Sequence, residues 1–249
     1  MVRLVLRNAF FLTVFLFMTV LVSLSVIVLS RFRSTMPLRR RLELIWAKAA
    51  VFASGIKLQA VDLPTLDPNR SYIFISNHQS HLDIPIILSL FDDFFPRFLA
   101  KRSLFRIPVF GPGMRLTGHL TVDRENRRQG MKDLEAAVAK AQSGESVLVF
   151  PEGTRNTRES LLDFQSGAFI LVVKSGIPIV PVIIDGSREV LPKGSIFVRP
   201  RTVRIKALPP LDWAGKYTLK ERDRLKRELW ELMQNEYLEL QQWDKQNRQ

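Results

Sequence analysis

The chain holds three histidines in 249 residues, and two of them fall in one heptad, Asn77-His78-Gln79-Ser80-His81-Leu82-Asp83, directly after the apolar stretch SYIFIS. Imidazole is the side chain that changes charge nearest neutrality. If a carboxylate holds one ring nitrogen, the other can take a proton from a hydroxyl. His78 and Asp83 are spaced for that pairing only under one condition. On a continuous helix, five residues turn about 500° and the two would point apart. A strand end, a short loop and a new helix would bring them together. His-x4-Asp is weak as an isolated signal, and Ser80-x-x-Asp83 reads equally well as a capping pair with Pro85 in the first turn. The heptad by itself leaves both readings open. His81 has no carboxylate at that spacing and reads as structural, as does His119.

A second segment, Phe150-Pro151-Glu152-Gly153-Thr154-Arg155, follows the apolar run SVLVF. At the carboxyl end of a strand, a glycine turn exposes backbone N–H groups, and an arginine can grip a phosphate through two parallel hydrogen bonds. An ordinary solvated turn has the same composition.

The elements that would position these groups alternate along the chain. Strands are expected at 72–76, 96–100, 119–123, 146–151, 177–185 and 203–208. Helices are expected at 84–91, 126–144 (with Met131, Leu134, Ala137, Val138 and Ala141 on one face), 167–176, and from Thr218 to about Gln242. This order predicts an α/β fold, a mixed sheet covered by helices. The expected division is 1–61 for N-terminal membrane anchor helices, 62–215 for the α/β domain, with DLPTLDPNR (62–70) as the linker, and 216–249 for a charged amphipathic C-terminal helix.

Composition narrows the partners. Net charge is +13 and there is no cysteine, so disulfides, thiolate catalysis and cysteine metal sites are excluded. A strongly basic chain seeks polyanions: nucleic acid, an anionic membrane or phosphorylated substrates. Here the first 42 residues hold seven arginines and no acid, and the arginines flank an uncharged apolar run at 9–29. That placement favours a membrane over nucleic acid. As a helix the run reaches about 32 Å, one hydrocarbon core. It ends in LSRFR rather than in small residues, so it reads as a retained anchor and not as a cleaved leader. The heavier positive flank lies downstream and predicts an inner (cytoplasmic) membrane protein with the following domain facing the cytoplasm. Residues 37–58 extend this into a second helix. Its arginines are expected at lipid headgroups, with Trp46 and Phe52 on the apolar side. Whether the first helix spans, or the two form a membrane-embedded hairpin, is open.

Taken together, NHQSHLD and FPEGTR, about 70 residues apart, resemble the glycerolipid acyltransferase family, in particular the bacterial 1-acyl-glycerol-3-phosphate acyltransferases. GHLTVDR (118–124) and IPIVPVII (177–184) resemble the family's second and fourth blocks, in the family's order, so the resemblance covers roughly residues 70–190. It implies transfer of a fatty acyl chain from a thioester to a glycerophosphate hydroxyl. His78 would be the general base and Asp83 its orienting partner. Lys101, Arg124 and Arg155 would hold the acceptor's phosphate, and Glu152, Gly153 and Thr154 would shape the acceptor site. The implied partners are acyl-CoA or acyl carrier protein as donor, lysophosphatidic acid as acceptor, and a membrane, with no nucleic acid and no metal or organic cofactor. A thioester is already activated, so only the acceptor hydroxyl needs a base. The same chemistry on glycerol 3-phosphate, another lysophospholipid or a lyso-aminolipid is the alternative within the class. Outside it stands a non-catalytic protein that binds anionic membranes.

Overall fold

The computed structural model describes residues 2–32, 34–123 and 125–247. A seven-stranded sheet with order β1-β7-β6-β2-β5-β3-β4 forms its centre. The strands are β1 (Lys57–Asp62), β2 (Ile73–Ser76), β3 (Arg97–Lys101), β4 (Leu120–Val122), β5 (Val147–Val149), β6 (Ile179–Asp185) and β7 (Thr202–Ala207). All neighbours run parallel except β6 and β7, which pair antiparallel. The mixed α/β sheet expected from the strand order is present. β2, β5 and β6 are fully or almost fully buried along their length, as strands covered on both faces must be.

The helices are α1 (Val2–Leu29), α2 (Met36–Ser54), α3 (Asp83–Leu90), α4 (Phe110–Thr117), α5 (Arg127–Gln142), α6 (Ser166–Ser175), α7 (Ser187–Val190) and α8 (Arg222–Asn247). One face of the sheet packs on α1 to α4 through Phe11, Ala47, Leu82, Ile86 and Met114. The other packs on α5, α6 and α8 through Ala137, Phe169, Leu229 and Met233. Alternate residues of a strand feed the two cores: Phe74 enters the first, Ile73 and Ile75 the second.

Two elements differ from the sequence reading. The second helix stops at Gly55, which takes φ 72°, and the chain then enters β1 beside β7. The expected boundary at 61/62 therefore falls within a strand of the sheet. α4, which carries Gly111, Pro112 and Gly113, was not among the expected helices. Gly113 has a packing reason: a Cβ there would lie 2.9 Å from the Ser23 hydroxyl of α1.

α1 lies along the domain instead of standing away from it. Asn8 near one end exchanges hydrogen bonds with the backbone of Val198. Ser23 and Val26 near the other share a small cavity with Phe110, Met114 and Thr117. From Asn8 to Val26 is about 27 Å of helix axis. The helix is long and apolar enough to cross a membrane, yet only 17% of its most apolar window is buried, so its outer side is bare. On α2, Phe52 is 75% exposed. Trp46 is half-buried and donates to Thr19 on α1. Two of the three α2 arginines differ from the expectation, while Arg41 stays exposed. Arg39 donates to Leu116 O at 2.6 Å and Arg40 pairs with Glu145, so both turn toward the domain and not toward headgroups. The Leu116 carbonyl draws Arg39 there and the Glu145 carboxylate draws Arg40.

Candidate active site

Three loops meet at the carboxyl ends of adjacent strands, where open α/β sheets place their ligands. They follow β2, β5 and β6. Asn77, the first residue after β2, ties two of them together. Its side chain donates to Ile184 O and accepts from Ile184 N, both at 2.8 Å, as a strand partner would.

His78 Nδ1 lies 2.8 Å from Asp83 Oδ2. The geometry is a strand end, a turn and the first residue of α3, the one arrangement that makes a spacing of five usable. The same Asp83 oxygen accepts from the backbone N–H groups of Gln79 at 2.6 Å and Ser80 at 2.8 Å. α3 begins at Asp83 with Leu82 as its N-cap and no side-chain cap bond, so the pairing reading of the heptad holds and the Ser80 capping reading does not. Asp83 is fully buried, while the His78 side chain is 14% exposed. The Phe150 ring stacks on the imidazole, with centroids 4.1 Å apart.

The 150–155 turn braces the histidine from the other side. Glu152 Oε1 accepts from His78 N at 3.0 Å, and Oε2 from Leu162 N at 3.1 Å. Asn156 N donates to His78 O at 2.6 Å. Burial pushes the Glu152 carboxyl up to about 7, with the nearby Asp83 charge adding to it. Gly153 takes φ 70°, a conformation that favours glycine, and its N–H closes the turn on Phe150 O. Thr154 is exposed, and its hydroxyl accepts from Lys193 Nζ at 3.1 Å. Arg155 is half-buried; burial lowers its pKa while the Asp83 charge opposes that shift.

The remaining expected residues divide. Lys101 ends β3 at the same edge of the sheet, but its exposed ammonium meets Glu125 at 3.2 Å. Among the described residues no contact joins it to His78, Glu152 or Arg155. Arg124 lies outside the described residues. His81 is exposed, and no hydrogen bond among the described residues uses its ring. His119 is buried, bonded to Glu43 and stacked on Phe98, which agrees with a structural role.

Sequence reasoning missed the outer layer. Ser187 Oγ donates to Asp83 Oδ1 at 2.5 Å, and Gln79 Nε2 donates to the Tyr237 hydroxyl at 2.7 Å. Ser187 follows Gly186 at the carboxyl end of β6, a position the strand-end rule flags. Tyr237 sits on α8 with no such signal.

An open cleft of about 900 Å3 starts at this turn. Phe150, Glu152, Gly153 and Thr154 form one wall, and Met131 and Leu134 of α5 form another. Neither His78 nor Arg155 lines this cleft, which reaches the base through the stacked Phe150; a base with one nitrogen held suits proton removal from a hydroxyl.

Several known proteins are similar to this chain. A 1-acyl-sn-glycerol-3-phosphate acyltransferase of Chlamydomonas reinhardtii is 36% identical over 171 residues, 67% of this chain and 51% of that protein. One of Salmonella typhimurium is 31% identical over 160 residues, 64% of each chain. The chain thus spans about half the length of the first and under two thirds of the second. The crystal structure of the 1-acyl-sn-glycerophosphate (LPA) acyltransferase PlsC from Thermotoga maritima superposes with a TM-score of 0.78 at 26% identity, covering 96% of this chain and 97% of that one. The family profile described as Acyltransferase matches residues 57–185, just over half of the sequence and inclusive of both motif loops, and the chain belongs to the acyltransferase family.

Proposed function

We propose that the chain moves a fatty acyl group from an acyl thioester to the free hydroxyl of 1-acyl-glycerol 3-phosphate, giving phosphatidic acid. The observation that carries this is the 2.8 Å contact of His78 Nδ1 with a buried carboxylate, braced by the 150–155 turn. The names of the similar proteins support this acceptor. With Nδ1 held, Nε2 takes the hydroxyl proton as the acceptor oxygen attacks the thioester carbonyl carbon. The oxygen–carbon bond forms and the carbon–sulfur bond breaks. The leaving thiolate takes the proton back from the imidazolium, which restores the base. Asp83 holds the ring and stabilises its charged form.

Arg155 grips the acceptor phosphate, with Arg124 and Lys101 as further cations and Glu152, Gly153 and Thr154 shaping the pocket. Acyl-CoA and acyl carrier protein are both acidic, and the net charge of +13 suits either donor.

The work is done at a membrane. The bare sides of α1 and α2 carry Leu16, Phe17, Val20, Leu24, Ile45 and Phe52, all exposed. Because the domain holds α1 from Asn8 to Val26, a hairpin lying in one leaflet fits better than a perpendicular span. Its arginine flank supports a position on the cytoplasmic side of the inner membrane. The test supplies purified protein with lysophosphatidic acid and each donor type and measures phosphatidic acid. Product is expected from the parent and not from His78→Ala; full activity in that variant would remove His78 from the mechanism.

A further inference from the structure

The segment between α7 and β7 contains Lys193-Gly194-Ser195-Ile196-Phe197-Val198-Arg199-Pro200-Arg201. Ile196 is 59% exposed and Phe197 58%, while Val198 beside them is fully buried. A single exposed apolar residue is ordinary. Two consecutive large ones on a rigid tip are not. The neck is closed by Arg199 N to Val190 O at 2.8 Å and Lys57 N to Arg201 O at 3.1 Å. The tip is set by Ser195 N to Pro192 O at 3.0 Å and by Phe197 N to Ser195 Oγ at 2.9 Å. These bonds fix the loop with its apolar side chains outward.

The surroundings say what they meet. Val198 is clamped by Asn8 of α1, whose Nδ2 also donates to Leu4 O, so the tip sits one helical turn from exposed Leu4 and Val5. The apolar surface of α1 therefore continues onto the loop. Lys193, Arg199 and Arg201 are exposed around it, and the segment has no acidic residue. An apolar point ringed by cations fits an anionic lipid interface, where apolar side chains enter the acyl boundary and basic ones meet phosphates. At its other end the loop reaches the site, since Lys193 Nζ bonds Thr154 Oγ1 at 3.1 Å and Arg155 O at 3.4 Å.

We infer that residues 193–201 form a lipid-inserting wedge, separate from the α1–α2 hairpin, that dips Ile196 and Phe197 into an anionic bilayer. The wedge holds the 150–155 turn at headgroup level, where a lipid acceptor presents its phosphate. It deepens the proposed function and rests on that reading's membrane acceptor.

The chain has no cysteine, so a single Phe197→Cys substitution takes one environment-sensitive fluorophore. Full-length protein is added to phosphatidylcholine vesicles containing phosphatidylglycerol and brominated lipid. The 197 label is expected to shift to the blue and to be quenched, and a label at exposed Arg227→Cys on α8, over the opposite face of the sheet, is not. A 197 label as wet and unquenched as the 227 label would overturn the wedge. Independently, the Ile196→Ser/Phe197→Ser variant is expected to lose about tenfold or more in turnover of a bilayer-resident acceptor, from the lost apolar burial. It should keep its rate on a short-chain, water-soluble lysophosphatidate. Equal loss on both acceptors would overturn the wedge in favour of a role within the site. A parent inactive on both, with the 197 label still quenched, would overturn the acyltransfer reading and leave the wedge standing.

Discussion

Ser187 Oγ donates to Oδ1 of Asp83 at 2.5 Å, from the side of the carboxylate opposite His78. The two carboxylate oxygens have separate duties. Oδ2 takes His78 Nδ1 and two backbone N–H groups, and Oδ1 takes the hydroxyl. Asp83 cannot rotate without breaking several of these bonds, so the imidazole is aimed by a residue 104 positions away from the carboxylate it acts through. Ser187→Ala strands a buried oxygen, worth about 1–3 kcal/mol. The expected outcome is a roughly tenfold fall in kcat with KM nearly unchanged, against a loss of about 10²–10⁴ in His78→Ala. Ser187→Thr keeps the hydroxyl and should recover most of the rate. Steady-state kinetics on the three variants checks the order; a Ser187→Ala enzyme with parental kcat would show that Asp83 needs no second anchor.

Glu152 makes a prediction about pH. Burial raises its carboxyl from 4.5 to about 7. The folded chain therefore holds this proton more tightly than the unfolded chain does. The stabilising contribution is complete below about pH 4.5 and is lost as pH rises through about 7, a change of about 3 kcal/mol. Glu152→Gln cannot ionise, and its amide turns an N–H toward a backbone N–H. It should be less stable than the parent at pH 5, with the gap narrowing by pH 8. Thermal unfolding at the two pH values reads this, and an unchanged gap would place the titration elsewhere.

Arg155 predicts a split between acceptors. Its guanidinium can grip a phosphate through two bonds, which a lysine ammonium cannot reproduce. Arg155→Ala should raise KM for lysophosphatidic acid about tenfold or more, with a smaller change in kcat, and Arg155→Lys should recover part of it. A neutral monoacylglycerol, which lacks the phosphate, should be turned over equally by all three. If the neutral acceptor suffers the same loss, Arg155 supports the turn and not the ligand.

What the sequence disclosed was local. His78 and Asp83 could be paired from spacing because a strand end and a helix start lie within one heptad, and the FPEGTR turn was legible because glycine after a buried strand exposes backbone. The sheet and most helices followed from period and punctuation. Contacts between distant segments were not legible. Ser187 meets Asp83 only because β6 is the neighbour of β2, an adjacency the strand order in sequence does not give. β1 reads as part of the preceding helix because Ile56 and Leu58 prolong its apolar pattern, although Gly55 ends it. Arg39 and Arg40 read as lipid-facing because their attractions, a carbonyl at Leu116 and a carboxylate at Glu145, come from distant parts of the sequence.

Those same long-range charges decide how firmly the α1–α2 hairpin is held. Arg97 of β3 is fully buried and bonds Glu43 of α2 at 3.1 Å and Glu145 at 3.0 Å. His119 takes the other oxygen of Glu43, and Lys140 the other oxygen of Glu145. Removing one member leaves an uncompensated charge where water cannot reach, and such losses run to about 3–5 kcal/mol. An exposed pair on the same helix, Lys48 with Asp92 at 3.1 Å, is solvated and worth under about 1 kcal/mol. Glu43→Gln should therefore lower the unfolding temperature in detergent markedly, and Lys48→Ala hardly at all. Proteolysis should then release the hairpin from the Glu43→Gln domain sooner than from the parent, since α2 has lost its deepest tie to the sheet. Equal unfolding temperatures for the two variants would mean that apolar packing alone carries the contact between α2 and the domain.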